Sequence, residues 1–130
     1  MIILDTHIWV WWSGENSELT EEYENLIRSE QHGGIGVSAI SCWEIALLHA
    51  KQRLHLAQPV LEWLETSLSL PGIILLPISP RIAVESNNLP GEFHKDPSDR
   101  IIVATARIYD CPLVTYDSKV IEYSHVKLLP

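Results

Sequence analysis

Ile2-Ile3-Leu4-Asp5-Thr6-His7 sets three consecutive apolar residues directly against an acid, a hydroxyl and an imidazole. An apolar run without alternation predicts a short strand buried on both faces, as in parallel sheets covered by helices. The pattern returns at Leu113-Val114-Thr115-Tyr116-Asp117, where an apolar start again ends in an acid. Between these stretches Ile35-Gly36-Val37 and Ile73 to Ile78 read as further strands, and Val126 to Leu129 reads as a fifth. Helices are expected over Thr6–Trp12, Leu19–Glu30, Ala39–Lys51, Pro59 to about Leu70, Ser79-Pro80 to about Asn87, and Ser98–Tyr109. Their apolar residues fall at helical spacing, as Leu19, Tyr23, Leu26 and Ile27 do, and Gly33-Gly34 and Pro71-Gly72 end two of them. Strands alternating with helices predict a three-layer α/β/α fold around a central, mainly parallel five-stranded sheet, with residues 1–130 as a single domain.

Composition narrows the classes of function. With 46% apolar residues the chain has enough material for a buried core, which excludes a disordered segment. No apolar run reaches the ~20 residues that span a bilayer. The start, Met1-Ile2-Ile3-Leu4-Asp5, lacks a basic segment and a cleavage site, so a signal peptide is not expected. Cys42 and Cys111 lie far apart and form no CxxC pair, so a cytoplasmic, reducing setting is expected. The net charge of −8 argues against binding nucleic acid through bulk positive charge. An acidic metal site remains compatible with it, because bound cations offset the charge locally.

Topology says where the acids fall. In parallel α/β sheets ligands bind at the carboxyl ends of the strands. Asp5 and Asp117 follow their strands directly. A crossover helix runs antiparallel to the strands, so its N-terminus lies at the same edge. Glu44 belongs to the early turns of the helix after the second strand, and Asp99 to the first turn of the helix before the fourth. Four carboxylates from distant parts of the chain are thus expected at one edge. Such a cluster resists ionisation unless a hard cation compensates it, and oxygen-only ligation favours Mg2+ or Mn2+ over zinc.

Each acid also has a local explanation. Asp5 and Asp117 suit helix N-caps. Ser41-Cys42-Trp43-Glu44 matches a capping box, which would occupy Glu44. Asp96-Pro97-Ser98-Asp99 is a good helix start, and Asp96 reads first as the cap of that helix and second as a supporting group near a metal. What separates the two readings is convergence, since four caps have no reason to meet.

Ile3-Leu4-Asp5-Thr6-His7, Val37-Ser38-Ala39-Ile40-Ser41 leading to Glu44-Ile45, Asp96 to Ala106, and Leu113 to Asp117 occur in this order over the whole chain. In these stretches the sequence resembles the PIN-domain family, and among its members the VapC-type toxins of toxin–antitoxin pairs. The resemblance implies a PIN-like α/β/α fold and metal-dependent endonuclease activity on RNA. It implies Asp5, Glu44, Asp99 and Asp117 as the catalytic, metal-holding quartet, with Thr6 and Thr115 as supporting hydroxyls. It further implies Mg2+ or Mn2+ as cofactor, a homodimer, and a small inhibitory antitoxin as partner.

None of the six histidines forms an HExxH motif, although His7 and His94 fall near the expected site. Lys95, Arg100 and Arg107 are candidates for an RNA path, with Arg100 a possible phosphate contact because it adjoins Asp99. Trp9, Trp11 and Trp12 cannot all share one face of a short helix, so one is expected near the surface, where it suits a dimer or antitoxin contact. The alternative function is a catalytically silent PIN-like module that binds RNA or protein. A phosphotransfer domain using Asp5 as nucleophile is disfavoured, because His7 stands where a second aspartate would be needed and no glycine-rich phosphate loop follows the first strand.

Overall fold

Strand β1, Ile2–Leu4, lies at the centre of a five-stranded sheet in the computed structural model, which describes residues 1–14 and 17–130. Its neighbours are β2 (Ile35–Ser38) and β4 (Leu113–Val114), with β3 (Ile73–Leu76) and β5 (Leu128–Leu129) at the edges. The order is β3-β2-β1-β4-β5, and every pairing is parallel. The side-chain period of a strand sorts β1 between two cores. Ile2 and Leu4 face one core with Ile8 and Trp9, while Ile3 faces the other with Ile102 and Val103.

Helices α1 (Thr6–Ser13), α2 (Glu21–Glu30) and α4 (Val60–Leu68) cover the first face. Helices α5 (Pro80–Ser86), α6 (Pro97–Tyr109) and α7 (Ser118–Ile121) cover the second. Helix α3 (Ala39–Ala50) touches both, placing Ile45 in the first core and Ile40 against the second. This is the expected three-layer arrangement.

Several boundaries differ from the sequence reading for local reasons. Helix α2 starts two residues late because the Thr20 side chain accepts from the Tyr23 N–H and so caps it. Pro59 is the N-cap of α4 rather than its first helical residue. Strand β3 stops at Leu76, before Pro77, which has no N–H for the ladder. As an edge strand it also leaves Ile74 and Leu75 exposed, where a buried run was expected. The ladder of β4 ends at Val114 and β5 spans two residues instead of four. Helix α7 follows Asp117, which suits an N-cap in the sequence, although no range is expected there. Of the tryptophans, Trp9 is fully buried, whereas Trp11 and Trp12 are half-buried. Among the described residues no helix is long and apolar enough to cross a membrane.

Candidate metal centre

The strand order reverses direction between β1 and β4, which opens a crevice at their carboxyl ends. Leu4 pairs with Val114, and the N–H of Asp5 donates to the Val114 carbonyl at 3.0 Å. That register sets Asp5 beside Thr115. The Thr115 hydroxyl donates to Asp5 Oδ2 at 2.6 Å and accepts from the Asp117 N–H at 3.0 Å. Asp117 therefore sits just past the strand, held by the same hydroxyl that holds Asp5.

Helix starts bring in the remaining acids. Ser38 caps α3 through the Ile40 N–H. This removes the capping-box reading of Ser41 and Glu44, because Ser41 lies inside the helix. Its hydroxyl instead meets the Thr6 hydroxyl at 2.8 Å, pinning α1 to α3 one turn from Glu44. Asp96 caps α6, its Oδ1 accepting from the N–H groups of Ser98 and Asp99 at 2.9 and 3.4 Å. Asp5 and Asp117 are caps as well: Asp5 accepts from the Thr6 N–H, and Asp117 from the Lys119 and Val120 N–H groups. Capping and convergence thus coexist, and the caps fix where the carboxylates point.

Asp5, Glu44, Asp96, Asp99 and Asp117 line one cavity of about 330 Å3. The electrostatics report their proximity. Burial, then the charges of Asp5, Asp96, Asp117 and Glu44, push the Asp99 carboxyl up from 3.8 to about 7. Burial also raises Asp5, against the lowering effect of its Thr115 and Thr6 hydrogen bonds. Glu44 is raised by burial and by Asp5 and Asp96, while the Thr6 hydroxyl and His7 draw it down. His94 places Nε2 2.9 Å from Asp99 Oδ2.

The five carboxylates form a mutually repelling oxygen donor set that suits a hard divalent cation, and the His7 imidazole shares their cavity. Among the described residues no three of these side chains close into a coordination shell as they stand. They ring the cavity instead, so a cation there would complete its shell with water, as Mg2+ commonly does.

Known proteins resemble the chain over nearly its full length. The PIN domain family model matches residues 2–126. The chain belongs to the PIN-domain family. It is 36% identical to Ribonuclease VapC22 of Mycobacterium tuberculosis (strain ATCC 25618 / H37Rv) over 124 residues, covering 95% of this chain and 92% of that protein. Its fold is similar to VapBC2 from Rickettsia felis, solved bound to a DNA fragment from its promoter. The TM-score is 0.73 at 19% identity, over 99% of this chain and 98% of the other. FitAcB from Neisseria gonorrhoeae is similar with a TM-score of 0.70 at 21% identity, over 100% and 97% of the two chains.

The four stretches that carry the resemblance bring Asp5, Glu44, Asp96, Asp99 and Asp117, the five acids expected from the sequence, to one cavity. The sequence reading missed the wall. Trp11 and Tyr116 line the same cavity with their ring centroids 5.6 Å apart, and Tyr23 braces Tyr116 at 4.5 Å. Tyr116 was legible in principle, since it immediately precedes Asp117 at the strand end. Arg100, the possible phosphate contact, is engaged by backbone carbonyls through two of its nitrogens. Its Nε donates to the Ser86 carbonyl at 2.8 Å, and its Nη1 to the Phe93 and His94 carbonyls at 3.0 and 3.1 Å. Arg100 straps α5 and the following loop onto α6. Arg107 is engaged likewise, by Glu85 and the His125 carbonyl.

Proposed function

We propose that this chain is a VapC-type toxin ribonuclease that hydrolyses RNA phosphodiester bonds at the carboxylate cavity with Mg2+ or Mn2+. The observation that carries the reading is the convergence of Asp5, Glu44, Asp99 and Asp117, from four separate elements, on one cavity. The likeness to Ribonuclease VapC22 over nearly the full length of both chains supports the same reaction. A divalent cation held there would offset charge on the scissile phosphate and acidify an attacking water.

The chain's own residues prepare the site for that chemistry. Thr115 sets the spacing of Asp5 and Asp117, and the Thr6–Ser41 contact fixes α1 beside the helix carrying Glu44. Asp96 anchors the helix start that presents Asp99. Burial keeps the carboxylates poorly hydrated, so their charge acts at short range. Unpaired bases would stack against Trp11 and Tyr116, which line the cavity, and this suits single-stranded RNA.

The rest of the reading follows the relatives. The similar VapBC structure and a toxin–antitoxin complex from Klebsiella pneumoniae support a small antitoxin as inhibitor. A homodimer, a single domain over residues 1–130 and a cytoplasmic location complete the proposal. The test is incubation of the purified chain with RNA in EDTA, Mg2+ or Mn2+. Internal cuts are expected with the cations and not with EDTA, and Glu44→Gln and Asp117→Asn should each lose at least about a hundredfold of that rate, consistent with losing part of the charge stabilisation of the transition state. Equal cleavage in EDTA, or by both variants, would contradict the proposal.

A further inference from the structure

A second cavity, of about 560 Å3, is lined by His94, whose imidazole reaches Asp99. Phe93, His94, Tyr123 and His125 contribute its rings, and Lys119 and Glu122 its charges. The rings form a row. The centroid of His125 lies 5.5 Å from that of Tyr123, Tyr123 lies 4.8 Å from Phe93, and Phe93 lies 4.5 Å from His94. His94 reaches Asp99 at 2.9 Å. An unbroken run of aromatic side chains therefore leads from the exposed imidazole of His125 to a carboxylate of the metal cavity. Helix α7 is a second link, since Asp117 on the metal cavity caps the helix that carries Lys119 into this one.

The walls are held by specific contacts. The buried Tyr123 donates its hydroxyl proton to the Pro90 carbonyl, tying the end of α7 to the loop before α6. Gly91 adopts φ +66, and a Cβ there would stand 3.4 Å from the His125 ring, so the loop backbone lies close to the imidazole. Arg100 fixes the carbonyls of Phe93 and His94 from behind.

We propose that this cavity is a nucleobase subsite, taking the RNA base next to the cut bond; the assignment rests on the ribonuclease reading above. Sequence-specific recognition of RNA splays single bases onto aromatic side chains, histidine included, and hydrogen-bonds their edges. The charges favour a base over a phosphate. Glu92 and Glu122 line the cavity together with Lys119, and carboxylates repel phosphate but accept protons from base edges. The favoured occupant is a base with an amino group, namely guanine, adenine or cytosine. Uracil, which has no amino group and whose N3–H lies between two carbonyl oxygens, is disfavoured.

Two measurements test the subsite. Nitrogen-15-labelled chain is titrated with guanosine 5′-monophosphate, uridine 5′-monophosphate and ribose 5-phosphate. The guanosine nucleotide should move the Gly91 and His125 signals, the uridine nucleotide less, and the sugar phosphate not at all. Equal shifts with all three would mark a phosphate site and overturn the proposal. In parallel, a random RNA pool is cleaved with Mn2+ and the cuts are mapped. His125→Ala and Glu122→Gln alter exposed residues, and melting curves check that both fold. Each should flatten a base preference beside the cut by about tenfold, the scale of one lost base–aromatic stack for His125→Ala and of one lost base-edge contact for Glu122→Gln, while metal-dependent cutting of the pool persists. Variants that keep the wild-type preference would sink the subsite. If the wild type cuts no RNA, the ribonuclease reading falls by itself, and the nucleotide titration then decides: guanosine-selective shifts retain a base pocket, and their absence removes it.

Discussion

Thr115 donates its hydroxyl proton to Asp5 at 2.6 Å and receives the backbone N–H of Asp117 at 3.0 Å, so a neutral side chain sets the spacing of two charged ones. Thr115→Val keeps the shape and removes both bonds. A buried carboxylate that loses a partner costs about 1–3 kcal/mol, and the two acids lose their common reference point. Urea denaturation should show that loss, and Mn2+-dependent cleavage should fall with it. Thr115→Ser should restore both. A valine variant equal to wild type in stability and rate would show that the hydroxyl positions nothing.

Arg100 should act on stability before it acts on RNA. Its guanidinium serves the carbonyls of Ser86, Phe93 and His94 at once. A lysine ammonium cannot reproduce that fork. Arg100→Lys should therefore lower the unfolding free energy by about 2 kcal/mol, the scale of charged hydrogen bonds. The salt dependence of RNA binding should keep its slope, since that slope counts phosphate contacts. A shallower slope at unchanged stability would return Arg100 to the phosphate path.

The pH dependence of the metal-free chain follows from Asp99. Its carboxyl holds a proton up to about 7 in the folded chain, against 3.8 for the free side chain. Within that window the folded state binds more protons than the unfolded state, so stability falls as pH rises. Asp5 and Glu44 are shifted in the same direction. In EDTA the Tm should be higher near about pH 5 than near about pH 8 as far as these groups decide it, and Asp99→Asn should reduce the slope. Equal slopes in the two proteins would mean that burial and the neighbouring carboxylates do not raise the Asp99 carboxyl in the folded chain.

The parts of the fold legible from sequence were those that a single segment encodes. Ile2-Ile3-Leu4 is apolar without alternation, which fixes a strand buried on both sides, and the acid after it then has one place to go. Contacts between segments were not legible in this way. Ser41 could not be assigned from its neighbours, because its partner Thr6 lies 35 residues away. Arg100 beside Asp99 suggested a shared role, but adjacent helix residues point about 100° apart, and its partners come from α5 and the loop after it. Of helix α7 only the cap, Asp117, was legible, because four residues carry no periodicity.

The direct test of the metal centre is the melting temperature of wild type and Asp99→Asn in EDTA and in saturating Mn2+. A cation that binds the folded state alone stabilises it by about 2.7 kcal/mol at a hundredfold excess over its Kd, a shift of several degrees for a chain of this size. Wild type should gain that shift. Above about pH 7, where the Asp99 carboxylate is charged, Asp99→Asn removes one repelling charge and should melt at or above wild type in EDTA, gain little from Mn2+, and lose RNA cleavage. If instead the variant melts lower in EDTA, still gains the full Mn2+ shift and still cuts RNA, Asp99 serves its helix alone and the carboxylate cavity is not the metal site.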